Sequence, residues 1–209
     1  MDTMTPQMTR ERIIARLDGQ EKPGTVAATG LRGDHDLNPG LYSTKPLTPA
    51  AVLIGLVEHA SGTNVLFTLR TDHLDHHPGQ VSFPGGHTEP DDASPEAAAI
   101  RETEEETGLH RRHIDVIGRL DDYDTRTGFR ITPIVAMITP PFELSPDPFE
   151  VAEVFEVPLD FLLDPDNHHR HSRMFEGTER EFYAMPYGDY YIWGATAGIL
   201  VNLYQALKT

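Results

Sequence analysis

The chain has 209 residues, contains no cysteine and carries a formal net charge of −16. This length predicts one domain with additions, or two small domains. The lack of cysteine excludes disulfides, thiolate nucleophiles and zinc sites built from cysteine. Because a strongly negative field repels nucleic acids and anionic membrane surfaces, we expect neither as a partner. A phosphorylated substrate would need metal cations or local basic side chains to offset that field.

The sequence also gives an expectation for the cellular compartment of the protein. The first twenty residues mix acidic and basic groups and contain no apolar signal-peptide core. The longest apolar run, AAVLIGLV at 50–57, is far shorter than the roughly 20 residues of a membrane-spanning helix. These features predict a cytoplasmic protein. They do not indicate the oligomeric state, and a homodimer stays open.

The first predicted elements are a short amphipathic helix at 7–17 and an irregular arm at 19–49, rich in glycine and proline. Two β-rich runs follow, AAVLIGLVEH and NVLFTLRT, separated by the turn sequence ASGT, which is typical of a hairpin. We therefore divide the chain into an N-terminal helix and arm, 1–47, and a main domain, 48–209.

The second half of the chain continues the alternation of strands and helices. It contains two strand candidates around a turn at 126–128, a proline-broken loop at 139–150, a strand at 151–159, a short helix at 158–163 and a last helix at 194–208. The histidine-rich segment DNHHRHS, 166–172, is interpreted as a solvated loop because it repeats no metal-ligand spacing. Interleaved strands and helices indicate an α/β or α+β protein.

The segment FPGGHTEPDDASPEAAAIRETEEETGL, 83–109, contains a well-marked helix. Ser94 suits the N-cap, Pro95 suits the first helical position, and Gly108 suits a left-handed C-terminal residue. On this helix three glutamates stand at i, i+3 and i+4 and share one face: Glu102, Glu105 and Glu106. Glu104 points away from that face.

Three carboxylates on one patch repel each other unless a cation lies among them. Mg²⁺ and Mn²⁺ prefer such oxygen ligands, whereas the alternative is a plain solvated acidic helix. The coincidence of a Gly-Gly turn, a capped helix and one-sided spacing favours the metal site.

This segment resembles the Nudix box, the signature of hydrolases that act on a nucleoside diphosphate linked to another group. The matching residues are Gly86, Arg101, Glu102, Glu105, Glu106, Gly108 and Leu109. The spacer is one residue longer than usual and holds Asp92 in place of a glutamate. The upstream stretch LFTLRTDHLDHHPGQVSFPGG, 66–86, is similar to that of the coenzyme A pyrophosphatase branch. It departs at Asp75, which stands where a second arginine is usual, among His73, His76 and His77.

The resemblance implies an α/β/α sandwich with a mixed sheet and the box helix on one face. It also implies metal-dependent hydrolysis of the coenzyme A diphosphate to 3′,5′-ADP and 4′-phosphopantetheine. Two alternatives stay open. One is a pyrophosphatase acting on ADP-ribose, NADH or dinucleoside polyphosphates, and the other is a non-catalytic nucleotide-binding module.

For the metal side of the site we expect Glu102, Glu105 and Glu106 to bind two or more Mg²⁺ or Mn²⁺ ions. The resemblance adds the Gly86 carbonyl as a ligand. Arg101 is expected to orient Glu105 rather than to touch substrate. Glu150 is the candidate for a further ligand or general base, and Glu153 is the alternative.

For the substrate side we expect Arg70, Phe83, Gly85 and Thr125. Arg70 suits a phosphate, such as the 3′-phosphate of coenzyme A, and the alternative is a surface ion pair. Phe83 would stack on substrate or belong to the core, and Thr125 would lie in a substrate-side loop or in a plain hairpin. Trp193 is expected to anchor the last helix.

Overall fold

The computed structural model of the protein describes residues 8–18, 32–40, 42, 46–74, 77–175 and 177–208. Much of the arm predicted from the sequence lies outside these residues, and so do Asp75 and His76.

The helices of the described ranges follow the sequence predictions closely. They are α1 (Arg10–Asp18), α2 (Pro95–Thr107), α3 (Leu159–Leu162) and α4 (Gly194–Leu207). No helix within these ranges is both long and apolar enough to cross a membrane.

The strands of the described chain form two sheets. The larger sheet contains nine, which are β1 (Arg32–Gly33), β2 (Thr48–His59), β3 (Gly62–Arg70), β4 (Val81–Ser82), β5 (Gly85–His87), β6 (Ile114–Arg119), β7 (Tyr123–Asp124), β8 (Phe129–Ile138) and β9 (Val151–Pro158). The smaller sheet contains three, which are β10 (His169–Phe175), β11 (Thr178–Tyr187) and β12 (Tyr190–Trp193).

Strand β2 organises the larger sheet. It pairs in parallel with β8 along its length and antiparallel with β3 and with the short β5. Strand β9 pairs antiparallel with β3. The sheet is therefore mixed, and the ends of β3 and β5 and the start of β9 lie at the same edge as the start of β2.

The two faces of β2 pack against different helices. Leu53 faces α2 in a cluster that also contains Ala98 and Ala99. Ile54 and Leu56 point the other way, into the large cluster that includes residues of α1 and α4. This alternation follows from the period of two of a β-strand whose faces are both buried. The result is the expected α/β/α sandwich, with α2 alone on the face that carries the acidic residues.

The hairpin of β2 and β3, the loop at 139–150 and the short helix before residue 163 agree with the sequence predictions. The loop predicted at 166–172 is wrong, because residues from His169 onwards form β10. All seven residues of β10 are exposed, so the segment has no apolar alternation by which a strand is recognised. Its pairing with β11 makes it a strand.

The predicted N-terminal helix packs onto the main domain. Ile13 is fully buried and Leu17 is 5% exposed, and both belong to the large core cluster. Arg10 forms an ion pair with Asp115 of β6. Helix α1 therefore shares the core of the main domain. The division of the chain at residue 47 stays a prediction from sequence.

Replacement of Ile13 by alanine tests whether α1 is part of the cooperative unit. The change removes a fully buried side chain, so we expect the free energy of unfolding to fall by about 2–4 kcal/mol in a single transition. The matched control is Ile14→Ala, at a half-buried position of the same helix, for which we expect a clearly smaller loss in denaturant unfolding. Equal small losses would mean that α1 folds outside the core.

Candidate active site

Helix α2 has the ends predicted from its sequence. The Ser94 side chain accepts a hydrogen bond from the Ala97 backbone N–H at 3.3 Å, and Pro95 occupies the first turn. At the other end Gly108 has φ 71°, and its N–H donates to the Glu104 carbonyl at 2.9 Å. These caps fix where the helix begins and ends, and therefore which glutamates share a face.

The three glutamates of that face differ in exposure. The side chain of Glu105 is 60% exposed, that of Glu102 is 18% exposed and that of Glu106 is 5% exposed. Their spacing on the helix predicted one acidic patch and no difference in depth among its members. The structure instead grades them from the surface into the protein, because successive residues of one helix face approach the sheet at different depths.

The Gly-Gly turn contacts two of these carboxylates. The Gly85 N–H donates to Glu106 Oε2 at 3.1 Å. A Cβ at Gly85, where φ is 149°, would lie 2.4 Å from the Ala51 carbonyl oxygen, and a Cβ at Gly86 would lie 2.5 Å from the Glu102 carboxyl carbon. Only glycine allows this close approach of strand β5 to both neighbours.

Arg101 joins the acidic residues into one network. Its guanidinium bonds both carboxylate oxygens of Asp92, at 3.1 and 3.0 Å. It also bonds Glu102 at 2.9 Å and Glu105 at 3.0 Å, and donates to the His87 carbonyl at 3.2 Å. Arg101 therefore lies where the sequence predicted, against Glu105. Its strongest partner, Asp92 in the lengthened spacer, had no predicted role.

Arg70, at the end of β3, lies beside Glu106. Its Nη1 is 3.8 Å from Glu106 Oε1, and its buried Nε has no hydrogen-bond partner among the described residues. A guanidinium with an unpaired buried donor is suited to an anionic ligand. Its location next to the box carboxylates makes the diphosphate a candidate ligand, in addition to the 3′-phosphate inferred from sequence.

The two glutamates considered as a further ligand or base are in different surroundings. Glu153 is exposed and accepts a hydrogen bond from the Tyr190 hydroxyl at 2.8 Å. Glu150 precedes β9, and its carbonyl accepts from the N–H of Thr71, next to Arg70, at 3.0 Å. Burial is the main cause that raises the pKa of Glu102 and Glu106, and the charge of Glu150 adds to it. The structure thus brings Glu150, and not Glu153, to the acidic cluster.

The loop that carries Glu150 is attached to α2. The Ser145 N–H donates to the Thr107 carbonyl at 2.9 Å, and the Asp147 N–H donates to the Glu106 carbonyl at 3.0 Å. These bonds satisfy two carbonyls that a helix C-terminus leaves without partners.

The same loop is also attached to the end of β3. The buried hydroxyl of Thr71 donates to the Phe149 carbonyl at 2.8 Å, and its N–H donates to the Glu150 carbonyl at 3.0 Å. Thr71 was not identified from sequence, since a threonine after a strand gives no distinctive signal. It lies directly after Arg70, so one short segment supplies both the cation and the attachment point.

The electrostatics of the cluster depend mainly on burial. Burial raises the pKa of Glu106 to about 8, against the opposing effects of the Gly85 N–H and Arg70. Burial also raises the pKa of Glu102, although Arg101 opposes it. Ionised carboxylates at such depth need a compensating cation.

The donor set suits a hard divalent cation, since it consists of carboxylates beside a glycine-rich backbone turn. Within the described ranges, no three His, Asp or Glu side chains are already grouped as a complete metal site. Two of the expected ligands, Glu102 and Glu105, are hydrogen-bonded to Arg101 instead. Full coordination would therefore require these side chains to reorient.

Two residues expected on the substrate side lie elsewhere. Phe83 is 3% exposed and stacks on Phe67 at 5.1 Å, so its side chain belongs to the core. Thr125 is 5% exposed, and its hydroxyl accepts from the Phe129 N–H at 3.0 Å and bonds the Thr127 hydroxyl at 2.9 Å. It closes the turn before β8, as the plain-hairpin alternative required.

Glu104 and Trp193 are in the places expected of them. Glu104 points away from the cluster and pairs with Arg111. Trp193 precedes α4 and its ring contacts that of Phe182 at 5.3 Å, while its role as an anchor of α4 stays a prediction. His73 contacts the ring of Phe149, whereas Asp75 lies outside the described residues.

Comparison with known proteins agrees with this geometry. The model of the NUDIX domain matches residues 47–177. A protein of Enterobacter sp. (strain 638), named "Uncharacterized Nudix hydrolase NudL", is 40% identical over 154 residues, covering 74% of this chain and 80% of its own length. The protein of the same name from Escherichia coli (strain K12) is 41% identical over 156 residues, with the same coverage.

A solved Nudix hydrolase, RenU of M. smegmatis, is 25% identical and superposes with a TM-score of 0.47, covering 56% of this chain and 73% of its own. The family match spans the box helix, the Gly-Gly turn and the loop of Glu150. The chain therefore belongs to the Nudix family, as a relative of the Nudix hydrolases named NudL.

Proposed function

We propose that this protein hydrolyses the diphosphate linkage of coenzyme A and its derivatives, in a reaction that requires Mg²⁺ or Mn²⁺. The observation that carries the proposal is the buried carboxylate of Glu106, 3.8 Å from the Arg70 guanidinium, on the helix face that also carries Glu102. Such a site combines carboxylates for metal ions with a positive group for phosphate. The products would be 3′,5′-ADP and 4′-phosphopantetheine.

The residues that would hold the metal are Glu102, Glu105 and Glu106, with the Gly86 carbonyl. When bound, divalent ions neutralise the diphosphate and lower the pKa of a coordinated water. Glu150 is assigned as a further ligand or as the general base, because its charge acts on Glu102 and Glu106. Arg101 is assigned a positioning role, since its guanidinium donors are already bonded to carboxylates and to the His87 carbonyl.

We assign Arg70 to the diphosphate rather than to the 3′-phosphate predicted from sequence. Its distance of 3.8 Å from Glu106 puts it beside the expected metal ligands, where the scissile diphosphate would bind. Phosphate binding would also supply a partner for its buried Nε.

The choice of coenzyme A rests on the upstream sequence LFTLR…GQVSFPGG, and the names of the relatives do not state a substrate. The alternative of ADP-ribose, NADH or dinucleoside polyphosphates uses the same chemistry. A non-catalytic module is disfavoured because the chain retains all three box glutamates. The cytoplasmic location stays a prediction from sequence.

Substitution of the box glutamates tests the metal site. We expect Glu106→Gln and Glu105→Gln each to lower the turnover of coenzyme A on the order of 10²-fold or more, because each removes one charged group from a phosphoryl-transfer site. The fold should persist, since a glutamine oxygen at position 106 can still accept the Gly85 N–H. Rate assays and circular dichroism measure the two effects. Glu104→Gln is the matched control, and near-normal turnover of either variant would remove that residue from the site.

Thr71 tests whether the loop attachment positions Glu150. Thr71→Val keeps the shape but leaves the Phe149 carbonyl without its 2.8 Å donor, a loss of about 1–3 kcal/mol. We expect kcat to fall by about tenfold with little change in KM, because the loop would shift at Glu150. Thr71→Ser should restore most of kcat. A purely structural role would lower the melting temperature of the valine variant and leave kcat of the folded fraction unchanged.

A substrate panel with Mg²⁺, or with a chelator in its place, tests the assignment itself. Coenzyme A should be cleaved only with metal. We expect Arg70→Ala to lower kcat/KM about tenfold or more for both coenzyme A and dephospho-coenzyme A, since both contain the diphosphate. Arg119→Ala, which removes a partly exposed arginine paired with Glu96, is the control.

Two results of the panel would change the assignment. If Arg70→Ala lowers kcat/KM for coenzyme A but not for dephospho-coenzyme A, Arg70 would be assigned to binding of the 3′-phosphate. Rapid hydrolysis of ADP-ribose without cleavage of either coenzyme would overturn the proposed substrate.

A further inference from the structure

An exposed aromatic ring stands next to the acidic cluster. Phe149 is 63% exposed, the largest exposed fraction among the large hydrophobic side chains of the described ranges. Its carbonyl accepts from the hydroxyl of Thr71, the residue after Arg70, and Arg70 Nη1 is 3.8 Å from Glu106 Oε1. Phe149 also directly precedes Glu150. Consecutive Cα atoms are about 3.8 Å apart, so this ring lies at the border of the candidate active site.

The backbone of Phe149 is held on both sides. Its carbonyl accepts from the buried Thr71 hydroxyl at 2.8 Å, and its N–H donates to Asp147 Oδ1 at 2.9 Å. The first bond attaches the loop to the segment after β3, and the second is internal to the loop. The backbone that carries the ring is therefore fixed, so less conformational entropy is lost when a ligand packs on the ring.

A second ring from a different loop packs on the first. The His73 ring meets the Phe149 ring edge-on, with centroids 4.8 Å apart and planes at 63°. An edge-to-face contact occupies the edge of one ring and leaves a face open. His73 follows Arg70 by three residues, so both rings and the guanidinium come from the two loops that border the cluster.

Because the protein is strongly negative, contacts with the uncharged part of a substrate would contribute to binding here. A net charge of −16 opposes the approach of any phosphate, and the described cations at the cluster are Arg70 and Arg101. A purine base carries no charge and has a flat face, so it can stack on a phenyl ring without further cations. In a nucleoside diphosphate the ribose separates the base from the cleaved linkage, so a platform for the base belongs beside the carboxylates and not among them.

We propose that Phe149 is the stacking platform for the base of the nucleotide half of the substrate, with His73 supporting its ring. This inference deepens the proposed function, because it takes from it a substrate with a nucleotide half. It makes Phe149 a substrate-binding residue that orients the substrate, with the base of the nucleotide half on the ring and the phosphopantetheine half on the other side of the diphosphate.

The test measures ligand binding by calorimetry in the presence of Mg²⁺, with AMP and ribose 5-phosphate as probes. We expect Phe149→Ala to weaken AMP binding about tenfold and to leave ribose 5-phosphate binding unchanged, because that probe has no base. Phe149→Trp should bind AMP at least as tightly as the unmodified protein. Phe175→Ala is the matched control, since Phe175 is 51% exposed on β10 and should not affect either probe.

The same variants then test the two products as inhibitors of cleavage. Inhibition by 3′,5′-ADP should weaken about tenfold in Phe149→Ala, whereas inhibition by 4′-phosphopantetheine should not change. Unchanged AMP binding, or equal weakening for AMP and ribose 5-phosphate, would overturn the stacking role. The two proposals can fail separately. If the unmodified protein does not cleave coenzyme A but Phe149→Ala still weakens AMP binding, the stacking role is supported and only the proposed substrate is contradicted.

Discussion

The candidate site depends on the cost of burying the carboxylate of Glu106. This side chain is 5% exposed, and burial raises its pKa to about 8, so its ionised form needs positive neighbours. The Gly85 N–H and Arg70 supply part of that compensation, while Glu102 and Glu150 oppose it. A site with this imbalance has unused affinity for a cation. Bringing acidic groups together in this way costs stability, and it is the property that a metal-dependent hydrolase requires.

The surroundings of Glu106 consist of elements that meet at one edge of the mixed sheet. Helix α2 carries the glutamates, β5 approaches them through two glycines, and the loop before β9 caps the end of the helix. Because that loop bonds the Glu106 and Thr107 carbonyls, the same contact ends the helix and positions Glu150. The same hydrogen bonds therefore end the helix and hold the loop of Glu150 in place. A shift in either would change the other, which explains why the loop can be irregular in sequence and still be well placed.

Arg101 and Arg70 have different relations to the acidic residues. Arg101 is saturated by Asp92, Glu102, Glu105 and a backbone carbonyl, so it organises the cluster from within. Arg70 keeps a buried donor without a described partner and stands at the boundary between carboxylates and solvent. Arg101 therefore orders the carboxylates, whereas Arg70 is the arginine that we propose for binding the anion. In a protein of net charge −16, such local placement of cations matters more than their number.

The sequence by itself determined the elements that are set by local interactions. The caps of α2 at Ser94 and Gly108, the hairpin of β2 and β3, and the shared face of the three glutamates follow from short-range patterns, and the family follows from the box residues. The tertiary structure alone decided the features that depend on residues distant in sequence. It buried Phe83 in the core, graded the exposure of the glutamates, selected Glu150 over Glu153 and attached Thr71 to a loop 78 residues away. It also formed β10, whose exposed residues become a strand only through pairing with β11. The physical reason is that burial, charge compensation and strand pairing are set by the neighbours that the fold supplies, and a residue's neighbours in sequence do not specify them.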